Sequence, residues 1–152
     1  MFSGRFESPI GLVQVEADME ALISVSFVEA SQRADRRNLL IDGAIDQLAQ
    51  YFQGSRREFD LPLQFQGTEF QQAVWQQLMG IPYGRMVSYQ DIANALDNPG
   101  AVRAVGAANG QNPISIIVPC HRVVGSDGSL TGYGSGLWRK EWLLRHEGSL
   151  LL

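Results

Sequence analysis

A run of apolar residues leads directly into the most reactive tetrapeptide of the chain. Ile114-Ser115-Ile116-Ile117-Val118 is followed by Pro119-Cys120-His121-Arg122. A short apolar run that stops at a proline is typical of a buried strand, because the proline ring fixes φ and its nitrogen cannot donate. We therefore expect the core to form around this run, with Cys120 at the exit of a strand.

Composition limits the class of protein. With 152 residues, 45% of them hydrophobic, the chain is long enough for one domain or two small ones. A single cysteine excludes an internal disulfide, and one cysteine with two histidines cannot form a closed zinc site of the usual kind. We expect a cytoplasmic protein without a metal. Residues 1–30 do not have the pattern of a secretory signal, and no apolar run has membrane-spanning length.

Charge is distributed unevenly between the two halves. The net charge is −4, which argues mildly against a nucleic-acid partner. Residues 1–66 contain ten acidic and six basic residues, whereas residues 67–152 contain six of each. Any surface that faces DNA is therefore expected in the second half.

The first half, residues 1–66, is predicted to be a small α/β domain. Residues 6–15 predict one short strand, and alternation over residues 21–28 predicts its hairpin partner. Apolar residues at helical spacing predict a helix over residues 39–52, and residues 59–63 are expected to be extended.

The second half, residues 67–152, is predicted to be mostly helical. Thr68 and Gln71 form a capping-box pattern at the start of one helix, and Ser88 is placed to cap a second. A third helix is expected from Ala101 to Asn109, so this region has the outline of a helix-turn-helix. A last helix over residues 137–146 is expected to end at a Gly148 cap.

The third helix has an unusual composition for a recognition helix. Its residues are small, and Arg103 is its one long cation. A helix that reads bases normally carries several Asn, Gln, Arg or Lys residues. The helix therefore either packs tightly in the core or lies against nucleic acid without reading its sequence, and composition does not decide between these.

Cys120 is the best candidate for chemistry. A free cysteine is often only a small buried hydrophobe, but the adjacent His121 favours a nucleophile. A drop in its pKa of about 1.5 units would ionise half of the thiol at neutral pH. Neighbours in a strand rarely face each other, so we expect His121 to act through a water. Glu147 is the best candidate for a carboxylate that orients the His121 ring. Alternatively, Glu147 is only a solvated residue at a helix end. Four other residues fit ordinary structural roles: Asn112 in a turn, Tyr89 in the core, and His146 and Gly148 at a helix end.

Several motifs together resemble the O6-alkylguanine-DNA alkyltransferases, also called methylated-DNA–protein-cysteine methyltransferases. The resemblance covers residues 67–148 in order and spacing, and the first half only in outline. It implies a ribonuclease-H-like α/β domain followed by a mostly α domain with a winged-helix-like helix-turn-helix. The motifs are Tyr83-Gly84, Ser88-Tyr89, Arg103-Ala104-Val105-Gly106, Asn112-Pro113, residues 117–124, Gly132-Tyr133 and residues 140–148.

The resemblance also implies roles for individual residues. Cys120 would accept the alkyl group, with His121 as its water-mediated base, Glu147 as the orienter and Asn112 as a brace of the turn. Tyr89 would contact the DNA backbone and the extruded guanine, and Arg103 would fill the space that the base leaves. The remaining implied DNA or base contacts are Ala104, Gly106, Val123, Tyr133, Gly134 and Ser135.

The implied function is DNA repair by irreversible transfer of an alkyl group to the protein itself. The substrate would be O6-methylguanine in double-stranded DNA, with O4-methylthymine as a second candidate, and a monomer would act once without a cofactor. Two alternatives remain open: a non-catalytic helix-turn-helix protein that binds or senses damage, and a cysteine hydrolase using Cys120, His121 and Glu147. Sequential Cys and His have poor geometry for direct proton transfer, which counts against the hydrolase.

Overall fold

The computed structural model describes residues 1–30 and 34–150. The chain forms two compact units. The first contains Met1–Gln66 together with Pro113–Ile117, and the second contains Gly67–Asn112 and Val118–Leu152. A single boundary near Gly67 does not describe the return of residues 113–117 to the first unit, and the division into 1–66 and 67–152 stays a prediction.

In its described residues, the first unit is a three-stranded antiparallel sheet with one helix. Strands β1 (Phe2–Ser8), β2 (Gly11–Ala17) and β3 (Leu22–Val28) are adjacent in that order. The prediction of one short strand over residues 6–15 was wrong, because a tight turn divides this segment into two strands. Alternation buries one face of β2, where Val13, Val15 and Ala17 are all inaccessible to solvent.

Helix α1 (Leu39–Phe52) covers the sheet, as its apolar periodicity predicts. Asn38 caps it, since its side chain accepts a hydrogen bond from the Ile41 backbone N–H at 2.9 Å. The helix lies very close to β1. A Cβ atom at Gly4 would lie 2.6 Å from Cγ2 of Ile41, so this contact requires glycine.

The strand predicted over residues 114–118 is absent, and this prediction was wrong. Ile114 makes only a single parallel bridge with Val25, after which the chain turns. Ile116 has a φ of 72°, and the Ile117 N–H donates to the Ser115 carbonyl at 2.8 Å. The run is apolar because nearly every residue in it is buried, and burial alone does not distinguish a strand from a buried turn.

The described residues of the second unit form four α-helices. They are α2 (Glu69–Met79), α3 (Tyr89–Ala95), α4 (Val102–Gly110) and α5 (Leu137–His146). The predicted caps are confirmed: Thr68 forms a capping box with Gln71, and Ser88 forms one with Asp91. Gly148 adopts a φ of 80° just after α5, the conformation that glycine readily provides at a helix end.

A pair of two-residue strands links α3 to the predicted nucleophile. β4 (Val87–Ser88) runs parallel to β5 (Val123–Val124), and Val87 lies opposite Val123. This pair was not predicted from the sequence, because two residues are too few to show alternation. As a result, the start of α3 is tied to the backbone immediately after Cys120-His121-Arg122.

The packing of α2 on α4 includes a specific buried hydrogen bond. The Trp75 indole N–H donates to the Ala108 carbonyl at 2.9 Å, which satisfies a polar group within the core. This bond fixes the end of α4 that approaches the predicted site. No helix in residues 1–30 or 34–150 is both long and apolar enough to cross a membrane.

Candidate active site

Cys120 begins a single 3₁₀ turn, Cys120–Arg122, instead of ending a strand. Its backbone N–H donates to the Val118 carbonyl at 2.8 Å, and the Arg122 N–H donates to the Pro119 carbonyl at 3.0 Å. Two successive tight hydrogen bonds hold the turn. The cysteine is 5% exposed and therefore buried.

His121 is oriented by a buried carboxylate. Its Nε2 lies 2.8 Å from Oε2 of Glu147, and both side chains are fully buried. A nitrogen that faces a carboxylate at this distance carries the proton, so the neutral ring has Nδ1 as its acceptor. The structure thus brings the predicted base and its predicted orienter together.

Arg122 pairs with the same carboxylate. Its Nε donates to Oε1 of Glu147 at 2.8 Å and its Nη2 donates to Oε2 at 3.0 Å, a bidentate geometry. Its Nη1 donates to the Ile81 carbonyl at 2.6 Å. We call His121, Arg122 and Glu147 the Glu147 network.

The Glu147 network determines which of its side chains are charged. Burial alone would raise the pKa of Glu147, but the hydrogen bonds and charges of His121 and Arg122 lower it well below its usual range. Burial lowers the pKa of His121, and Glu147 opposes this only in part. The guanidinium therefore neutralises the carboxylate, and the imidazole remains uncharged.

The Cys120 thiol is not ionised at rest, which differs from the sequence expectation. Burial raises its pKa above the ordinary value, whereas a hydrogen bond with the Asn112 side chain and the charge of Lys140 act to lower it. Asn112 also donates from Nδ2 to the Val118 carbonyl at 2.8 Å, so it braces the turn from within. Formation of the thiolate therefore requires a proton acceptor.

Tyr89, the first residue of α3, meets Lys140 of α5. The Tyr89 hydroxyl donates to the Thr131 carbonyl at 3.0 Å, and Nζ of Lys140 donates to the same carbonyl at 2.7 Å. Nζ lies 3.4 Å from the Tyr89 hydroxyl oxygen. Burial lowers the pKa of Lys140 to about 8, while the nearby Cys120 raises it.

The glycine-rich segment after Thr131 lies beside α3 and the end of α4. A Cβ at Gly132 would lie 3.4 Å from the Tyr89 hydroxyl, and one at Gly134 would lie 3.9 Å from the Gly110 carbonyl. In this segment Tyr133 is buried, Gly134 is exposed and Ser135 is partly exposed.

The other predicted contacts fall on α4 and β5. Arg103 and Ala104 are exposed in the first turn of α4, whereas Val123 of β5 is fully buried. Gly106 is partly exposed, and a Cβ there would lie 4.0 Å from the Tyr89 ring. No group of three or more His, Cys, Asp or Glu residues that could hold a metal occurs in the described part of the chain.

Comparison with known families gives matches along nearly the whole chain. Residues 1–65 match the ribonuclease-like domain of 6-O-methylguanine DNA methyltransferase, and residues 69–149 match its DNA-binding domain. This chain belongs to the 6-O-methylguanine DNA methyltransferase family. The resemblance stated from the sequence is therefore confirmed, together with the α/β plus helical fold class.

Individual members of the methyltransferase family align over most of their length. The methylated-DNA–protein-cysteine methyltransferase of Mycobacterium tuberculosis is 48% identical to this chain, and the alignment covers 94% of this chain and 90% of that protein. The Methanosarcina acetivorans protein of the same name is 46% identical, and the alignment covers 98% of this chain and 99% of that protein. A crystal structure of M. tuberculosis OGT in complex with DNA is 46% identical, covers 98% of this chain and 94% of its own, and superposes with a TM-score of 0.90.

Two charged residues of the site were missed by the sequence analysis. Lys140, the one lysine in the chain, and Arg122 are both largely buried. Lys140 precedes the buried Leu143 and Leu144 at helical spacing, and Glu147 completes the same stripe. This periodicity could have placed Lys140 on the buried face of α5.

Replacement of Lys140 by methionine tests its effect on the nucleophile. Loss of a nearby positive charge makes the thiolate less stable, so the pKa of Cys120 should rise and its reaction with iodoacetamide at neutral pH should slow by roughly threefold or more. The control is Arg145→Met, which removes an exposed cation from the same helix, where it pairs with Glu141. The rate should be measured against pH. An unchanged thiol pKa in Lys140→Met would show that Lys140 does not stabilise the Cys120 thiolate.

Proposed function

We propose that this protein repairs double-stranded DNA by transferring the alkyl group of an O6-alkylguanine to Sγ of Cys120. The observation that carries the proposal is the geometry around the single cysteine. Cys120 is followed by a buried, neutral His121 whose tautomer is fixed by a carboxylate at 2.8 Å. This arrangement suits a nucleophile that is deprotonated only at the moment of reaction.

The reaction balances as a single displacement. The Cys120 thiol loses its proton, which Nδ1 of His121 finally accepts, and the resulting thiolate attacks the alkyl carbon. The bond from that carbon to O6 breaks as the bond to sulfur forms, and the electron pair passes to the guanine. The guanine then needs a proton, which completes its departure as an unmodified base.

Tyr89 and Lys140 are the groups we propose for this last proton. The Tyr89 hydroxyl carries a proton that it can donate, and the Lys140 ammonium at 3.4 Å stabilises the negative charge that develops on its oxygen. Because the pKa of Lys140 is about 8, it carries this charge at neutral pH. Above about pH 8 Lys140 loses its charge, so its stabilisation of the Tyr89 oxygen should weaken.

The small residues of α4 fit a protein that binds any sequence. A guanine within a duplex must be flipped out before Cys120 can reach it, at a cost of a few kcal/mol. Arg103 is exposed on α4, and we propose that it fills the space left by the base. Ala104 and Gly106 would allow the helix to approach the DNA closely, and the loop over Tyr133, Gly134 and Ser135 would cover the base.

The protein is proposed to act once, as a monomer in the cytoplasm and without a cofactor. A thioether does not reverse under mild conditions, and the chain contains no second thiol that could accept the alkyl group. A reducing compartment also keeps a free reactive cysteine in its thiol form. O4-methylthymine is a second candidate substrate.

Intact-protein mass after mixing with duplex DNA that contains O6-methylguanine tests the transfer. We expect a gain of one methyl group in place of one hydrogen, on Cys120, with the reaction stopping at one equivalent. The matched variant Cys120→Ser should bind the DNA and gain no mass. Repeated turnover would support a hydrolase, and DNA binding without any mass gain would support a damage sensor.

Arg103→Ala tests the proposed base flipping. We expect repair of duplex DNA to slow by about tenfold or more, since a few kcal/mol of flipping cost is no longer offset. Reaction with free O6-benzylguanine needs no flipping and should stay unchanged. Arg85→Ala, another exposed arginine, is the control. Equal losses on both substrates would show that Arg103 does not serve flipping.

A further inference from the structure

Asn109 carries a buried amide at the end of α4 and has no part in the alkyl transfer proposed above. It is 1% exposed, and its Nδ2 donates to the backbone carbonyl of Cys120 at 3.3 Å. Because a carbonyl can only accept, this bond fixes which end of the amide is NH₂. The carbonyl oxygen Oδ1 therefore points away from that bond.

Two buried acceptors near Cys120 lack a partner among the residues that the structure describes. They are Oδ1 of Asn109 and Nδ1 of His121. Asn109 bonds the carbonyl of Cys120, and His121 is joined to that same carbonyl by the peptide bond. Since Nε2 of His121 faces Glu147, its Nδ1 is an acceptor as well.

Two acceptors cannot satisfy each other, and buried polar groups are rarely left unsatisfied. One group with two hydrogens to donate, placed between them, would satisfy both. A water molecule has two, and buried waters typically make about three hydrogen bonds to such groups. After it donates to both, its oxygen still accepts from a third group, and Cys120, whose carbonyl Asn109 bonds, supplies a thiol that can donate.

We propose that Asn109 is a positioning residue that holds the proton-relaying water between Cys120 and His121. One O–H of the water donates to Oδ1 of Asn109, the other donates to Nδ1 of His121, and its oxygen faces the thiol. The thiol proton passes to the water oxygen as a water proton passes to Nδ1. The proposal rests on the alkyl transfer proposed above and adds a residue to it.

The charged groups that face the thiol set the background for this relay. Lys140 approaches from α5, and Arg122 and Glu147 form a neutral pair behind His121. None of these takes the thiol proton, because Lys140 is already protonated at neutral pH and the carboxylate is fully paired. Asn109 adds no charge, so its effect comes through the water alone.

Asn109→Leu tests the relay. The rate of reaction with free O6-benzylguanine should be measured from about pH 6 to about pH 10, which spans the range of a thiol pKa. Without the relay the thiol must ionise unaided. We expect a loss of about tenfold at neutral pH, equivalent to a shift of about one pH unit, with rates that converge with wild type at high pH. Asn109→Ser should recover most of the rate, because its hydroxyl still accepts a hydrogen bond.

The control is Trp75→Phe, which removes the hydrogen bond to the neighbouring Ala108 carbonyl and should lower thermal stability without moving the pH profile. A loss in Asn109→Leu that is equal at every pH would overturn the relay and indicate a structural role. In the wild type, a rate that depends linearly on the fraction of D₂O would also overturn the relay, since two protons in motion give a curved dependence. Failure of wild type to gain one methyl group would contradict the proposed function separately.

Discussion

The bidentate ion pair between Arg122 and Glu147 is the interaction on which the site depends. A carboxylate that is fully buried is costly unless its charge is neutralised and its oxygens are bonded. The guanidinium satisfies both needs, with contacts at 2.8 Å and 3.0 Å. His121 can then bond to the carboxylate while staying neutral, which a lone buried Glu147 would not permit.

The fold connects this ion pair to the groups that we propose act on the substrate. Glu147 directly follows α5, so the helix that supplies Lys140 also positions the carboxylate. The turn over Cys120–Arg122 continues into β5, which pairs with β4 at the start of α3 and so places Tyr89. One helix and one short strand pair therefore relate the proposed nucleophile, its proposed base and the proposed proton donor.

Local signals in the sequence predicted much of this structure. Caps at Thr68 and Ser88 and the periodicity of α1 mark helices because both effects act within a few residues. Buried polar residues were harder to find. Lys140 and Asn109 occupy buried helical positions that apolar residues usually fill, so their partners depend on tertiary contacts that no local pattern reports. The turn at Ile116 was missed for the opposite reason, since its apolar neighbours are buried like those of a strand. Cys120, His121 and Glu147 could be named from residue types and resemblance, but the raised thiol pKa follows only from burial.

The state of His121 tests the account most directly. The chain has two histidines, so nitrogen NMR of the imidazole rings gives two sets of signals, and His146→Gln assigns them. We predict that His121 stays neutral with its proton on Nε2 from about pH 6 to about pH 8, the range over which an ordinary histidine titrates. An imidazolium at neutral pH, or a proton on Nδ1, would contradict the account, because the ring could not then receive the thiol proton.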